Sequence, residues 1–100
     1  MVYSVAELAK ALNVSPAYIY PWMRGKSSPN ARKHIVPLKT FERHNIKFVS
    51  ADAFVAFVVA NGMKRYLLRA IDNKHIMKAY NKQYGKLHLK LHANGSIEVV

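Results

Sequence analysis

Apolar residues recur three or four positions apart between Val5 and Leu12, and this period predicts a helix with one apolar face. Ser4 and Glu7, at the start of this stretch, have the spacing of a capping box. Asn13 belongs to a residue type that tolerates the left-handed conformation at helix ends. The pattern therefore predicts a first helix that begins after Ser4 and ends at Asn13.

A second helix is predicted directly afterwards. Ser15 can cap its first turn, and Pro16 occupies the first helical position, where no amide hydrogen is needed. Ile19 and Trp22 have helical spacing and would face inward, and Gly25 would end the helix. Two helices separated by a short turn are thus predicted at the beginning of the chain.

The middle of the chain predicts a loop, two short strands and a third helix. Residues 26–34 have the composition of a loop, and the apolar stretches 35–38 and 46–49 predict extended segments. Residues 51–60 are apolar on nearly every side. This pattern predicts a third helix that lies in the core or has one face against a second subunit.

The last part of the chain combines a helical stretch with an alternating one. Residues 63–84 predict a helix, which the pair Asp72-Asn73 could divide or turn into a helical hairpin. Residues 86–92 alternate leucine with lysine or histidine, the period of a strand. A two-residue Asn-Gly loop after this strand would mix its two faces. A three-residue loop with a left-handed Gly95 sorts the faces, and it pairs Leu91 with Ile97, Lys90 with Glu98, and Leu89 with Val99.

These elements predict a mainly α fold with a small β component (α+β). We expect residues 1–61 to form one domain. We expect residues 62–100 to form a C-terminal helix and β-hairpin that pack on the same core or make a dimer.

Residues 6–22 resemble a helix-turn-helix motif. The motif needs a small residue where its two helices cross, and Ala9 occupies that position. It also needs a residue that tolerates positive φ in the turn, and Asn13 meets this requirement. The apolar positions of the motif are occupied by Leu8, Leu12, Val14, Ile19 and Trp22.

Two families share this motif. Residues 24–29 (Arg-Gly-Lys-Ser-Ser-Pro) resemble the segment that follows it in repressors of the lambda type. Residues 48–54 (Phe-Val-Ser-Ala-Asp-Ala-Phe) resemble the helix opening that follows the wing in the MerR and excisionase group. Pro37 disfavours the helix that the lambda-type interpretation needs at residues 31–41. We therefore favour a MerR/excisionase-like winged helix-turn-helix over residues 3–61, with the lambda-repressor type as the second choice.

The resemblance implies that the second helix enters the major groove of DNA and that a wing between residues 35 and 49 contacts the backbone or minor groove. Pro21 removes a hydrogen bond to the Ala17 carbonyl, so we expect the helix to kink or tighten there. Tyr18 is included among the DNA-binding residues, although it could instead cover the core. The outward positions implied for this helix are Ser15, Pro16, Ala17, Tyr20, Pro21 and Arg24.

Charge favours the same kind of partner. The chain has 100 residues, with 16 Lys and Arg against 5 Asp and Glu, and a formal net charge of +11. An excess of this size favours a polyanionic binding partner. The basic residues fall into two blocks along the chain. The block expected to bind phosphates around the wing consists of Lys26, Arg32, Lys33, Lys39, Arg43 and Lys47. The second basic surface, in the C-terminal part, consists of Arg65, Arg69, Lys74, Lys78 and Lys82.

The residue types disfavour several other classes of protein. The chain lacks cysteine, which excludes disulfides and thiolate metal sites, and its acids are scattered. We therefore expect no enzyme, no cofactor and no metal site. The longest apolar run, residues 53–60, is far shorter than the roughly 20 residues that span a bilayer. We expect a cytoplasmic protein of a bacterial, archaeal or phage-infected cell, with no membrane partner.

The expected function is non-enzymatic DNA binding, by a small transcriptional regulator or an excisionase-type recombination factor from a phage or mobile element. The expected partners are double-stranded DNA and a second copy of the chain in a homodimer. The alternatives are a module that keeps the fold but binds RNA or another protein, and an adaptor for DNA packaging or replication.

Overall fold

The structure, a computed structural model, describes residues 1–100 and begins with a strand that the sequence pattern did not predict. This strand, β1, spans Val2–Ser4, and helix α1 follows at Val5–Leu12. The predicted capping box is confirmed: Ser4 Oγ accepts a hydrogen bond from the Glu7 amide at 3.1 Å, and the Glu7 carboxylate accepts one from the Ser4 amide at 2.9 Å. Asn13 ends α1 in the predicted left-handed conformation, with φ 54°.

Five α-helices and two small antiparallel sheets make up the chain, which confirms the α+β class. The elements after α1 are a 3₁₀-helix at Pro16–Tyr18, α2 at Tyr20–Met23, β2 at Phe41–Arg43, β3 at Ile46–Ser50, α3 at Ala51–Ala60, α4 at Tyr66–Arg69, α5 at Lys74–Tyr84, β4 at Leu89–Leu91 and β5 at Ile97–Val99.

The predicted second helix is divided into the 3₁₀-helix and α2. Ser15 begins the segment as predicted, and its Oγ accepts a hydrogen bond from the Ala17 amide at 3.3 Å. The Ile19 amide donates to the Pro16 carbonyl at 2.9 Å, the shorter spacing of a 3₁₀ turn. Pro21 has no amide hydrogen to offer the Ala17 carbonyl, so the chain tightens before it, as expected.

Strands β1, β3 and β2 lie side by side in one antiparallel sheet with β3 in the centre. The turn between β2 and β3 consists of His44 and Asn45, both left-handed with φ 51° and 64°. Two left-handed residues fit the tight hairpin turn that matches the twist of the flanking strands. The strand predicted at residues 46–49 is therefore confirmed.

The strand predicted at residues 35–38 is wrong, because this stretch pairs with no strand. The Ile35 amide donates to the Gly25 carbonyl at 2.8 Å, and the Leu38 amide donates to the Trp22 carbonyl at 2.9 Å. An apolar pattern predicts that a segment is extended and partly buried. It does not say whether the backbone partner is a strand or, as here, the end of a helix.

Helix α3 begins after Ser50 and ends at Asn61, as predicted. Phe54, Val55 and Val58 are fully buried in a single core cluster of 21 residues, which draws on both the first 61 residues and the C-terminal part. No helix combines the length and apolar character that crossing a membrane requires.

The C-terminal part divides where the sequence indicated. Helix α4 ends at Arg69, and Asn73 caps α5 by accepting hydrogen bonds from the His75 and Ile76 amides at 3.1 Å each. Gly95 is left-handed, with φ 87°. The register predicted for the β4–β5 hairpin is confirmed, with Leu91 opposite Ile97, Lys90 opposite Glu98, and Leu89 opposite Val99.

Candidate nucleic-acid interface

The outward side of the 3₁₀-helix and α2 is exposed at all but one of the positions implied for DNA contact. Tyr18 exposes 51% of its surface and Tyr20 46%, so neither ring belongs to the core. The exposed residues of this segment are Ser15, Pro16, Ala17, Tyr18, Tyr20 and Arg24.

The exception is Pro21, which the sequence placed on the outward side and the structure buries. The backbone of a 3₁₀-helix rotates by about 120° per residue, compared with about 100° in an α-helix. The residues after it are therefore rotated relative to a continuous α-helix. The Pro21 ring faces the core beside Trp22. The exposed side of the segment therefore consists of the other six residues.

Trp22 supports this segment from below. Its side chain is fully buried, with the ring centroid 5.2 Å from that of Phe57 and 5.0 Å from that of Tyr66. The indole Nε1–H donates to the Ser27 carbonyl at 3.1 Å, so the one polar atom of the ring is satisfied. The segment therefore rests on a rigid aromatic base that ties α2 to α3 and α4.

The loop that follows α2 is closed at its base. Gly25 has φ 76°, and a Cβ atom there would lie 3.0 Å from the Ile35 carbonyl oxygen, so glycine is required on both grounds. Lys26 pairs with His34 as an isolated antiparallel bridge and is only half-exposed. Arg32 and Lys33, predicted as phosphate contacts, lie exposed inside this loop.

The β2–β3 hairpin carries the remaining basic residues predicted for the wing. Lys39 precedes β2, Arg43 ends it and Lys47 lies in β3, and all three are exposed. A cavity of about 520 Å³ lies between the hairpin tip and the second helical segment, lined by Lys47 and Asn45 on one side and by Tyr20 on the other. The hairpin and the outward side of α2 are therefore neighbours.

One face of the three-stranded sheet exposes an aromatic pair that the sequence analysis did not single out. The rings of Phe41 and Phe48 stack with centroids 5.8 Å apart and planes 25° apart. The Arg43 guanidinium lies 5.8 Å from the Phe41 ring centroid. Val2 and Phe48 line a small cavity with Phe41 and Arg43. Alternation of Phe41 and Arg43 along β2 was the signal available for this face.

Asn61 is a second residue whose role the sequence did not reveal. Its side-chain oxygen accepts a hydrogen bond from the Val36 amide, and its side-chain nitrogen donates to the Val36 carbonyl, both at 2.9 Å. The same nitrogen donates to the Phe57 carbonyl. The amide thus holds the segment leading to the hairpin against the end of α3, and only tertiary contacts could identify this role.

Arg65 and Arg69 lie beside the beginning of the second helical segment. A groove of about 380 Å³ runs between α4 and the turn after α1, with the two arginines on one side and Ser15 and Tyr18 on the other. Two cavities thus connect α4, the second helical segment and the β2–β3 hairpin. We call the exposed residues of these three elements, together with Lys39, the basic face. Across the hairpin, Arg43 lies on the side of Phe41, and Lys47 lies on the opposite side, near Tyr20. The residues of the basic face are Ser15, Pro16, Ala17, Tyr18, Tyr20, Arg24, Lys39, Arg43, Lys47, Arg65 and Arg69.

The rest of the second basic surface lies elsewhere. Lys74, Lys78 and Lys82 are spaced by four on α5, and we call them the α5 column. Lys78 and Lys82 line a cavity of about 290 Å³ that also includes Met1 and Asp52 but no residue of the second helical segment. The five residues predicted as one surface therefore divide between two surfaces.

Ion pairs neutralise very little of the positive charge. Lys82 lies 3.8 Å from the Asp52 carboxylate, and His92 lies 2.7 Å from the Glu98 carboxylate. Among the 16 Lys and Arg side chains, Lys82 alone has a carboxylate partner. No lysine or arginine of the basic face forms an ion pair, although Glu42 lies directly opposite Lys47 in the β2–β3 pairing.

No three His, Asp or Glu side chains are grouped so that they could hold a metal ion together. Comparisons of this chain with protein-family models, with curated proteins and with solved structures find no match.

Proposed function

We propose that this chain is a non-enzymatic DNA-binding protein of winged helix-turn-helix type, acting as a small transcriptional regulator or excisionase-type recombination factor. In this proposal α1 and the following helical segment form the helix-turn-helix, and the β2–β3 hairpin is the wing. The observation that carries the proposal is the basic face. It gathers exposed basic, hydroxyl and tyrosine side chains from separate parts of the chain, and none of its lysines or arginines has a carboxylate partner.

The residue types of the basic face are suited to different contacts with DNA. Arg24 ends the second helical segment and provides the guanidinium fork that can read a guanine edge in the major groove. Lys39, Arg43 and Lys47 provide positive charge without sequence information, as phosphate contacts require. The short α2 offers few further base-reading groups, so affinity depends more on phosphates than on base contacts.

The test measures binding of the native chain to duplex DNA as a function of salt concentration. About five phosphate contacts predict a slope of log K on log salt near −4.5. A weak, salt-independent interaction, or none at about 0.05 M salt, contradicts the proposal.

The recognition role of Arg24 is tested on a site selected from random duplexes. Arg24→Ala should weaken discrimination at one base pair by about 1–3 kcal/mol. Lys90→Ala, which removes one exposed positive charge from β4, is the matched control and should leave discrimination unchanged. Equal discrimination by native chain and Arg24→Ala would refute the role assigned to this arginine.

A second candidate function, binding of unpaired RNA or DNA bases, is favoured by the outer sheet face. Phe41 is 41% exposed and stacks on Phe48, and the Arg43 guanidinium lies over the Phe41 ring. Exposed aromatic rings with a neighbouring guanidinium suit base stacking. A single-stranded oligonucleotide that outcompetes duplex, with the preference lost in Phe41→Ala, would favour this candidate over the first.

Homodimer formation is part of the proposal and is supported by the C-terminal hairpin. Leu91 is 73% exposed and Ile97 51% exposed, and β4 and β5 pair only with each other. An open strand edge with apolar side chains is a pairing surface. Sedimentation equilibrium of the native chain tests this point directly.

A further inference from the structure

We infer that the groove between α4 and the turn after α1 is a binding site for a backbone phosphate of the DNA, held by Arg65 and Arg69. The inference rests on the proposed function and deepens it. It assigns a part of the C-terminal segment, residues 62–100, to the nucleic-acid interface, whereas the helix-turn-helix and wing lie in residues 1–61.

The groove has the size and composition of an anion site. Its volume of about 380 Å³ is more than ten times the roughly 30 Å³ share of one water molecule in the liquid, which leaves room for a phosphate group. Ser15 and Tyr18 of the second helical segment line it, and so do Arg65 and Arg69 of the α4 region. The lining therefore provides hydrogen-bond donors and positive charge, and no acid.

Arg69 is positioned before any ligand binds. Its Nη1 donates to the Asn13 carbonyl at 3.2 Å and to the Leu12 carbonyl at 3.5 Å, where α1 ends. These carbonyls lack intrahelical partners because they belong to the last turn. One nitrogen of the guanidinium is thus tethered to the turn, while Nε and Nη2 donate to no protein atom. A guanidinium held in this way loses less freedom when it binds a phosphate.

Arg65 is held by stacking instead of hydrogen bonding. Its guanidinium lies 5.1 Å from the Tyr66 ring centroid, and the Tyr66 ring packs edge-on against Trp22. Stacking leaves the donors at the edge of the guanidinium plane free. Glu98 lines a second cavity with Arg65, but its carboxylate lies 2.7 Å from His92 and forms no ion pair with Arg65.

Buried side chains anchor α4 to the core. Leu67 is fully buried and Ala70 is buried, and α4 contacts both α1 and α3. A phosphate bound by the arginines would therefore lie at a fixed distance from Ser15 and the start of the second helical segment. This contact would orient a segment whose own helix is only four residues long.

The experiment compares the native chain, Arg65→Gln, Arg69→Gln and the double variant by their duplex-DNA affinity at several salt concentrations. Each lost phosphate contact should reduce the magnitude of the slope of log K on log salt by about 0.9 and weaken binding roughly tenfold at about 0.1 M salt. Lys74→Gln with Lys78→Gln removes the same charge from the α5 column and should change the slope little.

Folding of the variants is checked separately, because Arg69 also donates to the turn. Circular dichroism and thermal unfolding should show folded chains, and Arg65→Gln removes no hydrogen bond to the protein. If Arg65→Gln binds with an unchanged slope, or if the lysine pair lowers the slope as much as the arginine pair, the site is overturned while the proposed function stands. Failure of the native chain to bind duplex DNA would overturn both.

The source of the phosphate is tested by titration. Inorganic phosphate is titrated at constant ionic strength into the native chain and into the double variant, without DNA. Saturable phosphate binding that the double variant lacks, together with an unchanged salt slope for DNA binding by that variant, would show that the groove takes a free phosphate and not the DNA backbone, and would overturn the assignment.

Discussion

The basic face and the α5 column both carry exposed positive charge, but they are formed by very different parts of the chain. The α5 column comes from one helix, with lysines spaced by four, and Lys82 is paired with Asp52. The basic face comes from three parts of the chain, and its arginines and lysines form no ion pair. A polyanion follows a surface in space, so clustering along the sequence is a poorer guide to its site than clustering in the fold.

The two surfaces also differ in what holds them. Trp22 lies beneath the basic face and joins α2 to Phe57 and Tyr66. The α5 column depends on Asn73, which caps α5 and accepts a hydrogen bond from the Tyr3 hydroxyl at 3.2 Å. The supports can therefore be weakened one at a time.

The largest effect is expected for Trp22→Ala, which removes the base of the basic face. The lost contacts and the cavity should lower the free energy of unfolding by about 3–5 kcal/mol, measured by urea denaturation. Trp22→Phe keeps part of the packing and should cost less. A loss below about 1 kcal/mol for the alanine variant would show that the ring does not support this surface.

The next largest effect is expected on DNA affinity. Arg43→Ala combined with Lys47→Ala removes two phosphate contacts proposed for the hairpin and should weaken duplex binding about 100-fold at about 0.1 M salt. Fluorescence anisotropy measures the affinity. Lys74→Ala with Lys78→Ala removes the same charge from the α5 column, and a loss of equal size there would erase the distinction between the two surfaces.

A smaller effect is expected for the support of the α5 column. Asn73→Ala removes the acceptor of the His75 and Ile76 amides, which should cost about 1 kcal/mol of stability. Asn73→Asp keeps an acceptor and places a negative charge at the helix start, so it should retain most of the stability. DNA affinity should be the same in both variants, and a large affinity loss in Asn73→Ala would link the α5 column to the interface.

The smallest effect concerns the first turn of α1. Hydrogen bonding to Ser4 lowers the pKa of the Glu7 carboxyl below its ordinary value. The larger effect comes from the Ser4 amide and the smaller from the Ser4 side chain. Because the pKa is lower in the folded state, the ionised carboxylate stabilises the protein above its unfolded-state pKa. This contribution is lost as the pH falls through the folded pKa.

Unfolding measured between about pH 3 and 6 should therefore show a weaker pH dependence in Glu7→Gln than in the native chain. Asp72→Asn, at an exposed acid outside the capping box, is the control. Identical pH profiles for the native chain and Glu7→Gln would contradict the linkage.

Local chemistry was sufficient to predict some parts of this fold from sequence. The capping box of α1, the left-handed Asn13 and the β4–β5 register each depend on residues close together in the chain. Steric and hydrogen-bonding requirements within a turn do not need the rest of the molecule. The division at Asp72-Asn73 is local for the same reason.

Prediction failed where a segment depends on a distant partner. β1 forms because it pairs with β3, and the stretch 35–38 is held by Trp22, Gly25 and Asn61 instead of by a strand. The sequence predicted a distortion of the helix at Pro21. It did not predict that the Pro21 ring is buried, because this depends on the preceding 3₁₀ turn and on the core beneath it.

The amino-acid sequence alone establishes the charge excess, the ends of α1 and α3, the turn at Gly95 and the residue types that could bind a polyanion. The packing of the folded chain determines which basic residues lie together: it places Arg65 and Arg69 beside Ser15 and Tyr18, and separates them from the α5 column. The physical reason is that capping and turn preferences act over a few residues. The packing of Trp22 against α3 and α4, in contrast, brings together side chains more than thirty positions apart.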